Sequence, residues 1–399
     1  MNSKLLLLLS IILIFRFYSF QQSQIKLTDG QKISLETTIL SQPQVVGSQQ
    51  SFTANYKNSK VKIVASRFSE VNYGDFIHIS GVVSNKGFGV LMYFPKIETL
   101  NDSSNILQSS LRGVNIFRQN LISMFSKTLP SPSSSLLLGI IFGIKEQMPK
   151  DFTSNLRATG VFHVIAASGM NITLVGGFIS SFLAFFLKRQ IAIVLSILGI
   201  IFYAVLAGLE ASIVRAAIMG IIVFSAQILG RQTLAENSLL LAGFGMLSFD
   251  PTLISDVGFQ LSFAATAGIL YIKPLFRLKE GIVSEVLTTV AAQIATLPIL
   301  LANFGIYSIY SVLVNGLVLW TIPLLMMVGG VGAALGFIFL PIGQFLIYLC
   351  YPLLLYFQTV VNIFGKIGGI LVIESFSWQF TVGYYCLLTS SLIFLRRKE

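Results

Sequence analysis

The run Ile191-Ala192-Ile193-Val194-Leu195-Ser196-Ile197-Leu198-Gly199-Ile200-Ile201-Phe202-Tyr203-Ala204-Val205-Leu206-Ala207-Gly208 passes eighteen residues without a charge, with Lys188-Arg189 before it and Glu210 after it. At about 1.5 Å of rise per residue, a helix of this length approaches the roughly 30 Å hydrocarbon core of a bilayer. Comparable runs cover 163–187, 211–229, 236–249, 257–272, 283–303, 306–326, 328–342, 344–365 and 378–395, while 366–377 is ambiguous. The shorter ones are expected to be half-helices or re-entrant segments. The composition agrees: 54% of the 399 residues are apolar and 11% charged, and the mean hydropathy is +0.80. A soluble chain would carry roughly 25% charged residues. The fold class that follows is a polytopic α-helical membrane protein.

The net charge of +11 fits either a polyanionic ligand or the retention of cations in cytoplasmic loops. Lys188-Arg189, Arg231, Lys273 with Arg277 and Lys279, Lys366, and Arg396-Arg397-Lys398 fall at alternate ends of the apolar runs, which puts all of them inside. Cys350, Cys386, His78 and His163 are the whole supply of soft metal ligands. A zinc site needs three or four such ligands close together, so no metal or other cofactor is expected.

The chain divides into four stretches: an anchor at 1–20, an all-β domain at 21–100, a linker with an amphipathic interfacial helix at 101–135, and a multi-span domain at 136–399. Lys4 precedes the first apolar run, and Phe17-Tyr18-Ser19-Phe20 offers no small-residue cleavage site. An uncleaved anchor with its amino terminus inside would make the β domain extracytoplasmic. Alternating runs at Lys32–Leu40, Ser51–Tyr56, Val61–Ala65, Asp75–Val83 and Gly87–Ile97 predict five short strands. The stretch Tyr73 to Gly81 resembles a strand of an OB-fold. Apolar residues at helical spacing from Leu111 to Leu129, interrupted by Arg112, Arg118 and Lys127, predict a helix lying in the membrane interface. Leu136–Ile144 is too short to span.

Three clusters carry polar residues into apolar surroundings. In Phe162 to Asn171, the polar members His163, Ser168 and Asn171 surround Gly169, where the backbone can break. Such a break either lines a cavity or belongs to a small-residue helix contact. In Glu210 to Ala217, Arg215 lies about a turn into a span. A central arginine costs roughly 2.5–3.5 kcal/mol on insertion scales, so it faces water, a phosphate or a carboxylate such as Glu210 or Asp256, or else it snorkels. In Asp256 to Ala265, Asp256 is placed to cap a helix, and Gln260 and Ser262 follow it into the membrane. In the β domain Lys57, Lys60, Lys62 and Arg67 lie near Tyr56, Phe68 and Tyr73. That grouping suits a basic groove with stacking platforms for a single strand, or a solvated face over a barrel core.

Leu136-Leu137-Leu138-Gly139 with Gly143, then His163 to Asn171, Ser212 to Ala217, Asp250-Pro251, and Asp256-Val257-Gly258-Phe259-Gln260-Leu261-Ser262-Phe263-Ala264-Ala265 resemble, in order and spacing, the ComEC-type competence proteins. The resemblance runs over about residues 20–300. It implies an outer OB-like domain, a multi-span channel domain in the cytoplasmic (inner) membrane, and import of single-stranded DNA during natural transformation. It also implies a helicase-like ATPase inside, a DNA receptor outside and room for a homo-oligomer. Two departures stand out. Asn171 replaces a histidine of the family motif. The metallo-β-lactamase-like domain of larger relatives is not expected either, since two histidines cannot supply its site; either a separate nuclease makes the single strand or this relative does something narrower. With no GxxxxGK[ST] loop, the chain is expected to be a transporter and not an enzyme. The competing readings are a small-solute transporter, and an intramembrane hydrolase with Ser168 as nucleophile and His163 as base.

Overall fold

A computed structural model describes residues 3–24, 27–39, 43–46, 49–56, 59–66, 69, 71, 73–85, 90–100, 106–145, 148–165, 169–276, 282–373 and 377–396. It forms two compact units, Met1–Ser123 and Met124–Glu399.

The first unit opens with α1 (Ser3–Ser23), which ends three residues beyond the expected anchor. Its Leu7, Ile14 and Phe15 lie uncovered. Seven strands follow: β1 (Lys32–Thr38), β2 (Gln44–Val46), β3 (Gln49–Tyr56), β4 (Ser59–Ser66), β5 (Phe76–Asn85), β6 (Val90–Tyr93) and β7 (Lys96–Thr99). They join in the order β1-β5-β6-β4-β3-β2, with β7 also on β5. All of these pairs are antiparallel except β4 with β6, and the sheet bends into an OB-like half-barrel. Period-2 alternation turns Ile33 and Leu35 inward from β1. They meet Phe52, Val61, Ile63, Ile77, Ile79 and Met92 in the core. The run expected as one strand from Gly87 to Ile97 becomes β6 and β7, and residues 86–89 lie outside those described. It breaks because Phe94 takes a φ of 45° and Pro95 has no N–H to offer a ladder. The predicted interfacial helix is α2 (Ile106–Thr128).

The second unit is helical. It comprises α3 (Ser133–Phe142), α4 (Lys150–Ala158), a 3-10 turn at Phe162–Val164, α5 (Gly169–Ala184), α6 (Arg189–Leu206), α7 (Ala211–Ile228), α8 (Ala235–Phe249), α9 (Val257–Tyr271) and α10 (Ile282–Phe304). After these come β8 (Ile306–Ser308), α11 (Ser311–Val318), α12 (Thr321–Ile338), α13 (Leu340–Leu349), α14 (Tyr351–Ile367), β9 (Ile370–Val372) and α15 (Trp378–Arg396). Among the described residues, eight helices are long and apolar enough to cross a membrane. The expected span at 236–249 is the fifteen-residue α8 and is not one of the eight.

The expected span 306–326 does not form. Its first residues are β8, which pairs antiparallel with β9 in the ambiguous 366–377 segment, and α11 and α12 follow as separate helices. Gly369 permits this pairing: its φ is 97°, and a Cβ there would stand 2.4 Å from the Tyr310 ring. The end of α14 lies against α4, with Asn155 Nδ2 donating to Asn362 Oδ1 at 3.0 Å. Lys366 lies in the last turn of α14. Arg277, Lys279, Arg397 and Lys398 lie outside the described residues.

Every residue of α3 is buried, although the helix is too short to span. Within a bilayer, helices gain little from apolar burial alone, and packing and interhelical hydrogen bonds take over. Gln358 Nε2 on α14 donates to Ser133 Oγ at 2.8 Å. At the other end, Asn171 Nδ2 donates to the Ile140 carbonyl at 2.8 Å and the Tyr203 hydroxyl donates to the Ile141 carbonyl at 2.8 Å. Late carbonyls of a helix lack intrahelical donors, and these two side chains fill that need.

Close backbone approach holds α9 to α10. A Cβ on Gly268 would stand 2.5 Å from the Ala291 carbonyl oxygen and 2.6 Å from Ala295 Cβ. Pro298 interrupts α10 and cannot donate to the Ile294 carbonyl four residues earlier. Tyr384 on α15 donates its hydroxyl to that carbonyl at 2.9 Å, and Tyr385 donates to the Ala295 carbonyl at 2.7 Å.

Candidate functional site

Three of the sequence clusters meet at Arg215. Glu210 ends the turn before α7, and Arg215 follows one and a half turns inside that helix. Its guanidinium donates to the Ser262 carbonyl and to Thr266 Oγ1 on α9, and it faces the Phe263 ring at 5.9 Å. On the other side lies the first residue of α5: a Cβ on Gly169 would stand 3.2 Å from Arg215 Nη2. Glycine leaves the guanidinium its room. Arg215 is 8% exposed, and its Nε has no hydrogen-bond partner.

No carboxylate balances this charge among the described residues. Glu210 pairs instead with Lys145 at 2.8 Å, and Asp256 Oδ1 accepts from the Phe259 N–H at 2.7 Å, capping α9. Both expected ion-pair partners are thus committed elsewhere. A desolvated cation without a counter-charge costs several kcal/mol, and neutral oxygens alone offset only part of that. An arginine held this way offers an anion a bidentate, charge-assisted contact.

Gly169, Arg215 and Ser262 are brought together, Ser262 through its backbone oxygen. The other candidates stand apart. His163 Nδ1 lies 3.0 Å from the Gly160 carbonyl in the turn before α5. Gln260 Nε2 donates to the Ile254 carbonyl at 2.8 Å. Asn171 is 1% exposed and spends its amide on Ile140 and on Tyr203 Oη at 3.2 Å. It secures the end of α3. Ser168 lies outside the described residues. Two contributors escaped the sequence reading. Thr266 sits four residues after Ser262, a spacing that places both on one helix face and that could have flagged it. Tyr203 gave no such signal: a lone tyrosine in an apolar span is ordinary.

In the β domain, Lys60 and Lys62 point outward from β4, opposite Asn55 and Thr53 of β3. Tyr56 is half-buried against the core. Tyr73 corrects the expectation of a stacking surface, since it is 5% exposed and packs inside. Burial pushes its hydroxyl above the usual range, with the Arg118 charge opposing. Lys57 and Arg67 lie outside the described residues. Among the described residues no group of three or more His, Cys, Asp or Glu is placed to hold a metal ion.

Fold and site together define a multi-pass helical membrane protein that carries a small β half-barrel and a buried, carboxylate-free arginine where three helices meet. The Competence protein family matches residues 140–398, and the chain belongs to that family. The match begins at α3 and continues to the end of α15, beyond the stretch where the sequence resemblance was drawn. The chain is similar to ComE operon protein 3 of Bacillus subtilis (strain 168), with 26% identity over 200 residues, 50% of this chain and 26% of that protein. It is also similar to the uncharacterized protein YcaI of Escherichia coli (strain K12), with 24% identity over 302 residues, 64% of this chain and 40% of that protein. The matched region thus spans well under two thirds of either relative. No solved structure matches the chain significantly.

Proposed function

We propose that this protein conducts single-stranded DNA across the cytoplasmic membrane during natural transformation. The observation that carries the reading is Arg215, an arginine buried inside a helical bundle with an unpartnered Nε and no carboxylate. Membership of the competence family supports DNA as the polyanion. In this reading the β domain lies outside and receives the strand across β3 and β4, the face by which OB-folds bind oligonucleotides, with Lys60 and Lys62 toward the phosphates. His163, Gly169, Ser168, Asp256, Gln260 and Ser262 lie along or beside the route. A receptor outside, a helicase-like ATPase inside and a separate nuclease for the second strand complete the proposed machinery.

The test replaces Arg215 with Ala and, separately, with Lys in a competent host, and measures uptake of labelled DNA at matched membrane levels of protein. Uptake should fall to background in Arg215→Ala and recover in part in Arg215→Lys, which restores the charge without the fork. Undiminished uptake in Arg215→Ala refutes the reading.

A further inference from the structure

Above Arg215, toward the start of α5, lies a second basic group. Phe162 is half-buried. Arg157 at the end of α4 places Cζ 5.1 Å from the Phe162 ring centroid. Lys145, in the loop between α3 and α4, places Nζ 6.0 Å from it. An aromatic ring holds a guanidinium through its flat face, which leaves the N–H edge available to a ligand. Arg157 is exposed and forms no salt bridge with a carboxylate among the described residues. Lys145 does form one, with Glu210. The two side chains of that pair keep 30% and 44% exposure, and surface pairs of this kind contribute only about 0–1 kcal/mol. Its role in holding the fold is small, so its place in the site matters more.

Glu210, at the N-cap of α7, and Arg215 lie five residues apart, about 7.5 Å of helical rise. Phe162 and Gly169 connect the same two levels along the other chain segment. Lys145 and Arg157 therefore stand one level beyond the buried arginine, at the end of the bundle where α5 begins.

We propose that Lys145 and Arg157, spaced by Phe162, form a clamp for phosphodiester groups at the mouth of the path, and that Glu210 occupies Lys145 until a phosphate displaces it. The inference rests on the reading of the chain as a DNA conduit. Glu210 is a competitor of the ligand, and this gives the clamp a sign that a structural ion pair lacks. Lys145→Gln and Glu210→Gln break the same bridge, so a purely structural role would move both variants the same way. The clamp moves them oppositely.

The experiment measures binding of a fluorescent oligothymidylate to the full chain in phosphatidylcholine nanodiscs over a range of salt. The double variant Lys145→Gln/Arg157→Gln should bind at least tenfold more weakly at low salt. Its log–log salt slope should shrink by roughly 1.4, at about 0.7 per single-strand phosphate contact. Glu210→Gln should bind several-fold more tightly. Parallel changes in Lys145→Gln and Glu210→Gln, or an unaltered slope in the double variant, overturn the clamp. So does a loss confined to binding of phosphatidylglycerol vesicles, which would assign the two cations to lipid headgroups. If the double variant binds as wild type while Arg215→Ala still blocks uptake, the clamp alone fails. If wild-type protein binds no oligonucleotide, the conduit reading falls and the clamp with it.

Discussion

Pro298 makes one hydrogen bond of this bundle measurable in isolation. The Ile294 carbonyl loses its helical donor to the proline and receives the Tyr384 hydroxyl instead. Tyr384→Phe removes that hydroxyl alone and orphans the carbonyl. An unsatisfied buried polar group costs about 1–3 kcal/mol. Interhelical hydrogen bonds in membrane proteins measure about 0.6 kcal/mol on average and about 1.7 at most. The overlap of the two ranges sets the expectation at about 1–1.7 kcal/mol. Pro298→Ala returns an N–H to Ile294, so Tyr384→Phe in that background should cost less than about 0.5 kcal/mol, a coupling near 1 kcal/mol. Tyr385→Phe is the control: its acceptor, the Ala295 carbonyl, is not orphaned by the proline, and its cost should not depend on residue 298. Unfolding of the purified variants in mixed micelles supplies the four corners of the cycle. An equal cost of Tyr384→Phe in both backgrounds would refute the reasoning and leave ring packing as the tie between α15 and α10.

Asn171→Leu keeps the volume but removes the donors to Ile140 and Tyr203. It should destabilise the protein by about 1–3 kcal/mol in the same unfolding assay. Asn171→His, the residue of the family motif, retains an N–H and should cost less than half as much. Gly268→Ala places a methyl 2.5 Å from the Ala291 carbonyl oxygen. It should lose about 1–3 kcal/mol through overpacking, and Gly268→Val should lower the yield of monodisperse protein on size exclusion further.

The fold was legible where a local pattern decides it. The charge-free run beginning at Ile191 matches α6 within two residues at either end, and the alternation of Ile33 and Leu35 is the inward face of β1. The reading failed where a distant partner decides. Residues 306–326 carry no charge and are mostly apolar, and periodicity cannot separate a buried strand from a helix in such a run. What breaks it is β9, more than sixty residues later. The candidate site was legible as a set of polar intrusions, and Gly169, Arg215 and Ser262 did converge. Their chemistry was less accessible. Sequence supplied two carboxylates for Arg215, while the structure spends one on Lys145 and one on a helix cap and hands the guanidinium a carbonyl and Thr266. Backbone oxygens carry no signature in a sequence. Tyr73 misled because an aromatic beside lysines looks the same whether its ring faces water or the core.

The capped end of α3 bears on which parts of the bundle can slide. Asn171 on α5 and Tyr203 on α6 grip carbonyls in its buried last turn. α5, α6 and α7 in turn share one apolar cluster, from Ile172 through Tyr203 to Ala217. These four helices are therefore tied to one another, and α9 packs closely on α10 at Gly268. Arg215 bonds across from this group of helices to α9, and under the proposed conduit a phosphate would compete for those bonds. In that reading, the strand's own phosphates would loosen the arginine that ties the two groups of helices together.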